Sequence, residues 1–166
     1  MARDVWSILL PLVVVTILTS VTGWFWQIWV LKATGGCLLI LVGFVLFFFR
    51  DPDRETPSAP GLVVAAGDGR VVDVQPVDQH EWLGDGGTRV SVFLSIFSVH
   101  VNRLPVNGTV TAVRHVPGRF RLAFKDKASD DNEHTEIWID TGSTRVAFKQ
   151  IAGFVARRIV CRLKEG

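Results

Sequence analysis

The hydrophobic pattern of this chain changes period once, near residue 50. Residues 5–31 carry no charge, and neither do residues 33–49. A single helix across the first run would be about 40 Å long, more than the roughly 30 Å of a bilayer core. The pattern therefore predicts two apolar helices, over about 5–22 and 33–49. The connection between them holds Gly23, Trp24, Trp26, Gln27, Trp29 and Lys32. Four of the six tryptophans fall at or before position 29, and their amphipathic rings suit a membrane–water interface. Both segments are near the short limit for spanning, so the expectation is a transmembrane or a re-entrant helical hairpin. A signal peptide fits less well. Arg3 is offset by Asp4, no small-x-small cleavage site follows, and a second apolar run does.

Residues 50–61, R-D-P-D-R-E-T-P-S-A-P-G, cannot continue a helix. Beyond them short runs alternate with turn residues. Strands are expected over 62–66, 70–75, 89–95, 109–116, 136–140 and 144–150, with exposed loops at 80–87 and 125–134. Such spacing predicts an all-β sandwich or barrel-like domain rather than βαβ units. The organisation read from the sequence is a membrane hairpin over 1–50, a linker over 51–61 and a β-rich domain over 62–166.

Charge sharpens this picture. Arg3, Lys32 and Arg50 against Asp4 account for the whole formal net charge of +2, so the β-rich part is balanced. It lacks the basic excess that nucleic-acid binding requires. The few arginines around the hairpin place its two ends, and with them the β-domain, on the cytoplasmic side of the cell membrane. Cys37 and Cys161 lie in unrelated surroundings and read as small buried side chains, not a disulfide. His80, His100, His115 and His134 show no metal-ligand spacing.

Candidate chemistry concentrates in R-V-S-V-F-L-S-I-F-S-V-H-V-N-R-L-P-V-N-G, residues 89–108. Its first half alternates like a strand. Its second half delivers His100, Asn102 and Arg103 at the expected strand end, just before the Asn107-Gly108 turn signal. Asp68 sits between two glycines after another apolar run. Each residue has an ordinary reading as well: a turn aspartate, an edge histidine, a surface guanidinium, and a solvated loop for Asn132-Glu133.

Together these positions resemble the short, membrane-associated form of phosphatidylserine decarboxylase, a pyruvoyl-dependent family. The resemblance rests on F-F-R-D-P at 48–52, G-D-G at 67–69 and F-S-V-H-V-N-R-L-P-V-N-G at 97–108. It continues with P-G-R-F at 117–120, N-E at 132–133 and Q-I-A-G-F-V-A-R-R-I-V at 150–160. It implies decarboxylation of phosphatidylserine, or archaetidylserine, to the ethanolamine lipid and CO₂ through a Schiff base to a pyruvoyl group. It implies Asp68 and His100 as catalytic residues, placed close together, and Asn102, Arg103, Asn132 and Glu133 as substrate contacts. Arg103 would hold the lipid phosphate or its carboxylate, since a guanidinium forks onto either.

Three departures qualify it. The aspartate turn is Ala66-Gly67-Asp68-Gly69 where the family usually has Pro-Ala-Asp-Gly. Arg103 stands where long forms keep a second histidine, which leaves open which of two histidine roles His100 fills. The self-cleaved serine that becomes the pyruvoyl group is expected beyond Gly166, on a small α chain that partners this large chain. Gly142-Ser143-Thr144 imitates a cut site but lies between two strand patterns and is expected to be a hairpin turn. The alternatives are a catalytically inactive membrane-anchored β-domain and a lipid-head-group binding module; a homo-oligomer is compatible with all three.

Overall fold

The computed structural model describes residues 3–57, 59, 61–121 and 131–166. They form two compact units: 1–54 together with Phe97–Val101, and 55–96 together with 102–166.

The first unit is built on a helical hairpin. A 3-10 turn, Arg3–Val5, leads into α1 (Trp6–Phe25), and α2 (Trp29–Phe48) returns antiparallel to it. The connection is shorter than the pattern predicted. Trp24 and Phe25 continue α1, Trp29 already starts α2, and only Trp26, Gln27 and Ile28 turn the chain. Gln27 takes the left-handed conformation (φ 56°), and Ile28 N donates to Gly23 O at 3.0 Å. Small residues set how closely the helices approach. A Cβ on Gly23 would lie 2.8 Å from Leu31 Cβ, and one on Gly35 would collide with Ser20 Oγ.

Both helices are long and apolar enough to cross a membrane, yet only 17% and 11% of their apolar windows are buried. Ile17, Leu18, Val21, Leu39 and Ile40 point outward, the reverse of a soluble core helix. Gly35→Leu is expected to destabilise the hairpin by about 1–3 kcal/mol through overpacking, read as a lower thermal midpoint of helicity in detergent. Gly43→Leu should be neutral, because nothing lies within 4 Å of a Cβ there.

The second unit contains two antiparallel sheets. β1 (Arg70–His80) pairs with β2 (Gly84–Phe93). β3 (Thr109–Val116), β4 (His134–Asp140) and β5 (Arg145–Ile151) form a meander in that order. Among the described residues the sheets stay open, so the barrel-like closure expected from the strand spacing is not formed. β4, the one strand with two neighbours among the described residues, is buried at Ile137, Trp138 and Ile139. Ile137, Ile139 and Val110 make the core, with Leu104, Val106, Phe148 and Cys161 against it.

Three further expectations are corrected, and a fourth lies mainly outside the described residues. Residues 62–66 form no strand; Val64 N donates to Pro105 O (2.9 Å) and Ala66 O accepts from Arg103 N (2.8 Å). β2 ends at Phe93, so His100, Asn102 and Arg103 follow on irregular chain instead of ending a strand. The loop over 80–87 is mostly a hairpin: Gly84 to Gly87 pair with His80 to Val77, since backbone pairing needs no apolar side chain. Its turn is held by His80 Nδ1, which accepts from Trp82 N at 3.1 Å. The charged loop over 125–134 falls mainly on 122–130, outside the described residues, and His134 already opens β4.

That hairpin tip is docked rather than solvated. Trp82 stacks on Trp138 of β4 (5.4 Å, 12°). Arg114 of β3 covers Trp138 at 4.1 Å and pairs with Glu81 at 2.8 Å, and Arg145 of β5 covers Trp82.

Candidate active site

His100 belongs to the helical unit. Its ring stacks on Phe48, the last residue of α2, with centroids 3.9 Å apart and planes 21° from parallel. His100 Nδ1 lies 3.0 Å from Ser98 O. A carbonyl only accepts, so Nδ1 carries the proton and the neutral ring keeps its lone pair on Nε2. Burial against this apolar wall pulls the imidazole below its ordinary value; the Ser98 carbonyl pulls it back up in part, and the positive charge of Arg50 lowers it further. The ring is half-buried, neutral at neutral pH and fixed in one tautomer, which suits it to take a proton at Nε2.

The segment that carries His100 is fastened to the end of α2. Arg50 Nη1 donates to Phe47 O and Nη2 to Phe97 O, both at 2.8 Å. The guanidinium also lies over the Phe47 ring at 3.9 Å, and Val99 is buried. Sequence reasoning gave Phe48 no role and Arg50 only one in orienting the hairpin. The signal was present in F-F-R-D-P, but a helix end facing a segment about fifty residues away leaves no local periodicity.

Asp68, Asn102 and Arg103 belong to the β-rich unit. Asp68 is exposed on the bend over 66–68. The Ala66–Arg103 backbone bond ties this bend to the Asn102-Arg103 segment, and a Cβ on Gly67 would collide with Asn102 Oδ1. The glycine thus makes room for the Asn102 carboxamide beside the aspartate turn. Arg103 is exposed there.

Asn132 and Glu133 lie in a different place within this unit. Asn132 is 1% exposed. Its Nδ2 donates to Arg121 O (2.9 Å) and Ala152 O (2.8 Å), and its Oδ1 accepts from Arg121 N (2.9 Å). Arg119 N donates to Asp131 O, Glu133 N to Arg119 O, and Ala152 N to Glu133 O. A Cβ on Gly118 would sit 2.5 Å from the backbone of Asn132 and Glu133. The P-G-R-F, N-E and Q-I-A-G motifs are therefore one bracket of main chain closed by a buried carboxamide. Glu133 Oε1 is 4.0 Å from His115 Nε2. Among the described residues no group of His, Cys, Asp or Glu is arranged to hold a metal ion.

Gly142-Ser143-Thr144 is the tight turn between β4 and β5, as expected. Gly142 has φ 84°, Thr141 N donates to Thr144 O at 3.0 Å, and Gly142 N donates to Asp140 Oδ1 at 2.7 Å. Ser143→Ala should leave the mass of the purified chain unchanged. A shorter wild-type chain that the substitution restores to full length would make Ser143 a cleavage site.

The phosphatidylserine decarboxylase family pattern matches residues 41–166, which takes in the end of α2 and the whole β-rich unit. A phosphatidylserine decarboxylase proenzyme of Chlorobium phaeobacteroides is 50% identical over 133 residues, covering 80% of this chain and 61% of the relative. One of Chlorobaculum parvum is 46% identical over 151 residues, 88% of this chain and 68% of the relative. The chain thus spans roughly three-fifths to two-thirds of the length of these relatives. The end of α2, the glycine-flanked aspartate, the histidine segment and the carboxamide bracket all fall inside the match, and the chain belongs to the phosphatidylserine decarboxylase family.

Proposed function

We propose that this chain is the large part of a phosphatidylserine decarboxylase, acting on phosphatidylserine or archaetidylserine with a pyruvoyl group carried by a small α chain. The observation that carries this reading is His100, a half-buried imidazole kept neutral, with Nδ1 bound to Ser98 O and a lone pair on Nε2. A pyruvoyl group supplies a carbonyl that takes up the electrons released when the substrate loses CO₂. The residues present fit such a group: a carbonyl electrophile needs a neighbour that moves protons without a fixed charge, in a place with little water. His100 takes a proton at Nε2 and returns it, first as base in self-cleavage and then during turnover. Asp68, on its exposed bend, supplies the carboxylate for the cleavage step. Arg103, with Asn102 beside the same bend, receives the phosphate or carboxylate of the lipid. Asn132 is reassigned from substrate contact to structural bracket, because its amide is committed to main chain on both sides.

The hairpin over 1–50 anchors this machinery in the cell membrane, with the domain over 62–166 in the cytoplasm. The two uncharged helices and their outward apolar faces support the membrane part of this reading, and the arginines at the hairpin ends support the cytoplasmic side. The apolar residues after β5, including exposed Phe154 and Val155, offer the small chain a surface. The test is a chimera in which these 166 residues are continued by the C-terminal part of the Chlorobium phaeobacteroides relative. In vesicles containing phosphatidylserine it should cleave itself and release CO₂ with an equal yield of ethanolamine lipid. A cleaved, membrane-bound chimera that releases none would reject the assignment.

A further inference from the structure

We propose that the C-terminal end of α2 is the positioning device for His100, with Phe48 as its stacking wall and Arg50 as the clamp on its backbone. The proposal rests on the reading of His100 as the proton carrier and adds two residues that set its state.

Two independent contacts carry it. The Phe48 ring is 8% exposed, packed by Phe44 and Phe49, and lies face to face with the imidazole at 3.9 Å. This fixes the plane of the imidazole and shuts water from one face. Arg50 acts on the main chain instead. Its two terminal nitrogens bridge Phe47 O at the helix end and Phe97 O in the incoming segment. Ser98, whose carbonyl holds Nδ1–H, directly follows the clamped residue. A simple packing contact would need only an apolar side chain at 48 and nothing at 50. A planar fork across two carbonyls, next to the residue that selects the tautomer, is a geometry that a lysine or an aliphatic side chain cannot reproduce.

The two contacts also act on charge in the same direction. Stacking removes water that would solvate an imidazolium, and the positive charge of Arg50, two residues past the end of α2, opposes protonation of the ring. The helix that enters the membrane therefore holds the imidazole neutral, so anchoring and proton transfer share one structural element.

The experiment uses the full 166-residue chain, labelled with ¹⁵N-histidine, in detergent micelles. It follows the titration and tautomer of the His100 ring by NMR, with His100→Gln identifying its signals among the four histidines. In the unsubstituted chain His100 should titrate below the ordinary value of about 6.5, with Nδ1 protonated in the neutral form. Phe48→Ala should raise the midpoint toward 6.5, and Phe48→Tyr, which keeps the stacked ring, should restore it. Arg50→Gln should raise the midpoint and also let Nε2–H forms appear as the backbone loosens. Should Phe48→Ala not fold, the Arg50→Gln and Phe48→Tyr spectra still decide the matter. An ordinary midpoint in the unsubstituted chain, or a midpoint and tautomer unmoved by Arg50→Gln, would overturn the proposal. These signals need no turnover. A chain that titrates as expected while the chimera stays inactive rejects the decarboxylase reading and leaves the positioning role standing; an active chimera with unmoved signals does the opposite.

Discussion

His100→Ala in the chimera is expected to cut CO₂ release from phosphatidylserine vesicles by about 10²–10⁴-fold, the usual worth of a positioned acid–base group. Membrane binding through the proposed anchor should be unchanged, because the outward apolar faces of the two helices do not involve the ring. The pH dependence separates this role from a structural one. The folded value lies below the unfolded value of about 6.5, chiefly through burial. Neutral His100 therefore persists as the pH falls past 6.5, and the acid limb of kcat/KM should lie lower than an exposed histidine would place it. The stability effect has the matching sign. The unfolded chain binds the proton first, so the His100 contribution is fully present above about pH 6.5 and is lost as the pH falls through the folded value. An acid limb at 6.5 or above, or a His100→Ala protein with full activity, would remove His100 from the mechanism.

What the sequence made legible depended on how local the signal was. Two uncharged runs predicted two helices because an unbroken apolar composition leaves its mark on every residue. β3 was legible over its whole length, and β4 and β5 to within two residues, because half-buried strands alternate and Gly142 announces the turn between them. β2 was misjudged at both ends. Its start is Gly84-Asp85-Gly86-Gly87, where pairing is carried by the backbone alone. Its expected end, Leu94-Ser95, is apolar enough to look like strand yet lies beyond the last β1–β2 pair, Arg70 with Phe93. Pro76 inside β1 was likewise unreadable, since a proline is tolerated only because β1 has a neighbour on one side. The return of Phe97–Val101 to the helical unit had no sequence periodicity at all. It rests on contacts between distant positions, such as the Arg50 guanidinium on Phe97 O, 47 positions away, and the Phe48 ring on His100.

The same logic explains why Asn132 read from its residues alone as part of a solvated loop. A buried carboxamide bound to main chain and a solvated one bound to a ligand have the same sequence; only the partners differ. Asn132→Ala would leave Arg121 N, Arg121 O and Ala152 O without the amide that now satisfies them. Leaving a buried polar group unsatisfied costs about 1–3 kcal/mol; Ala152 O is buried while both Arg121 groups are part-buried, so a loss of about 1–3 kcal/mol is expected. That is a large share of the roughly 5–15 kcal/mol that holds a domain folded. Asn132→Asp should be no better, because it would turn a carboxylate toward two carbonyl oxygens. By contrast, Glu133→Gln should shift stability little, since among the described residues the ion pair of its carboxylate is a long one, 4.0 Å to the half-exposed His115. The measurement is the urea midpoint of the full chain in detergent, followed by tryptophan fluorescence, since Trp138 lies on β4 in the core of the unit. A substrate contact would show the opposite pattern, an unchanged midpoint with a raised KM in the chimera. An Asn132→Ala chain as stable as the unsubstituted one would return Asn132 to the substrate site and leave the three joined motifs without their closing bond.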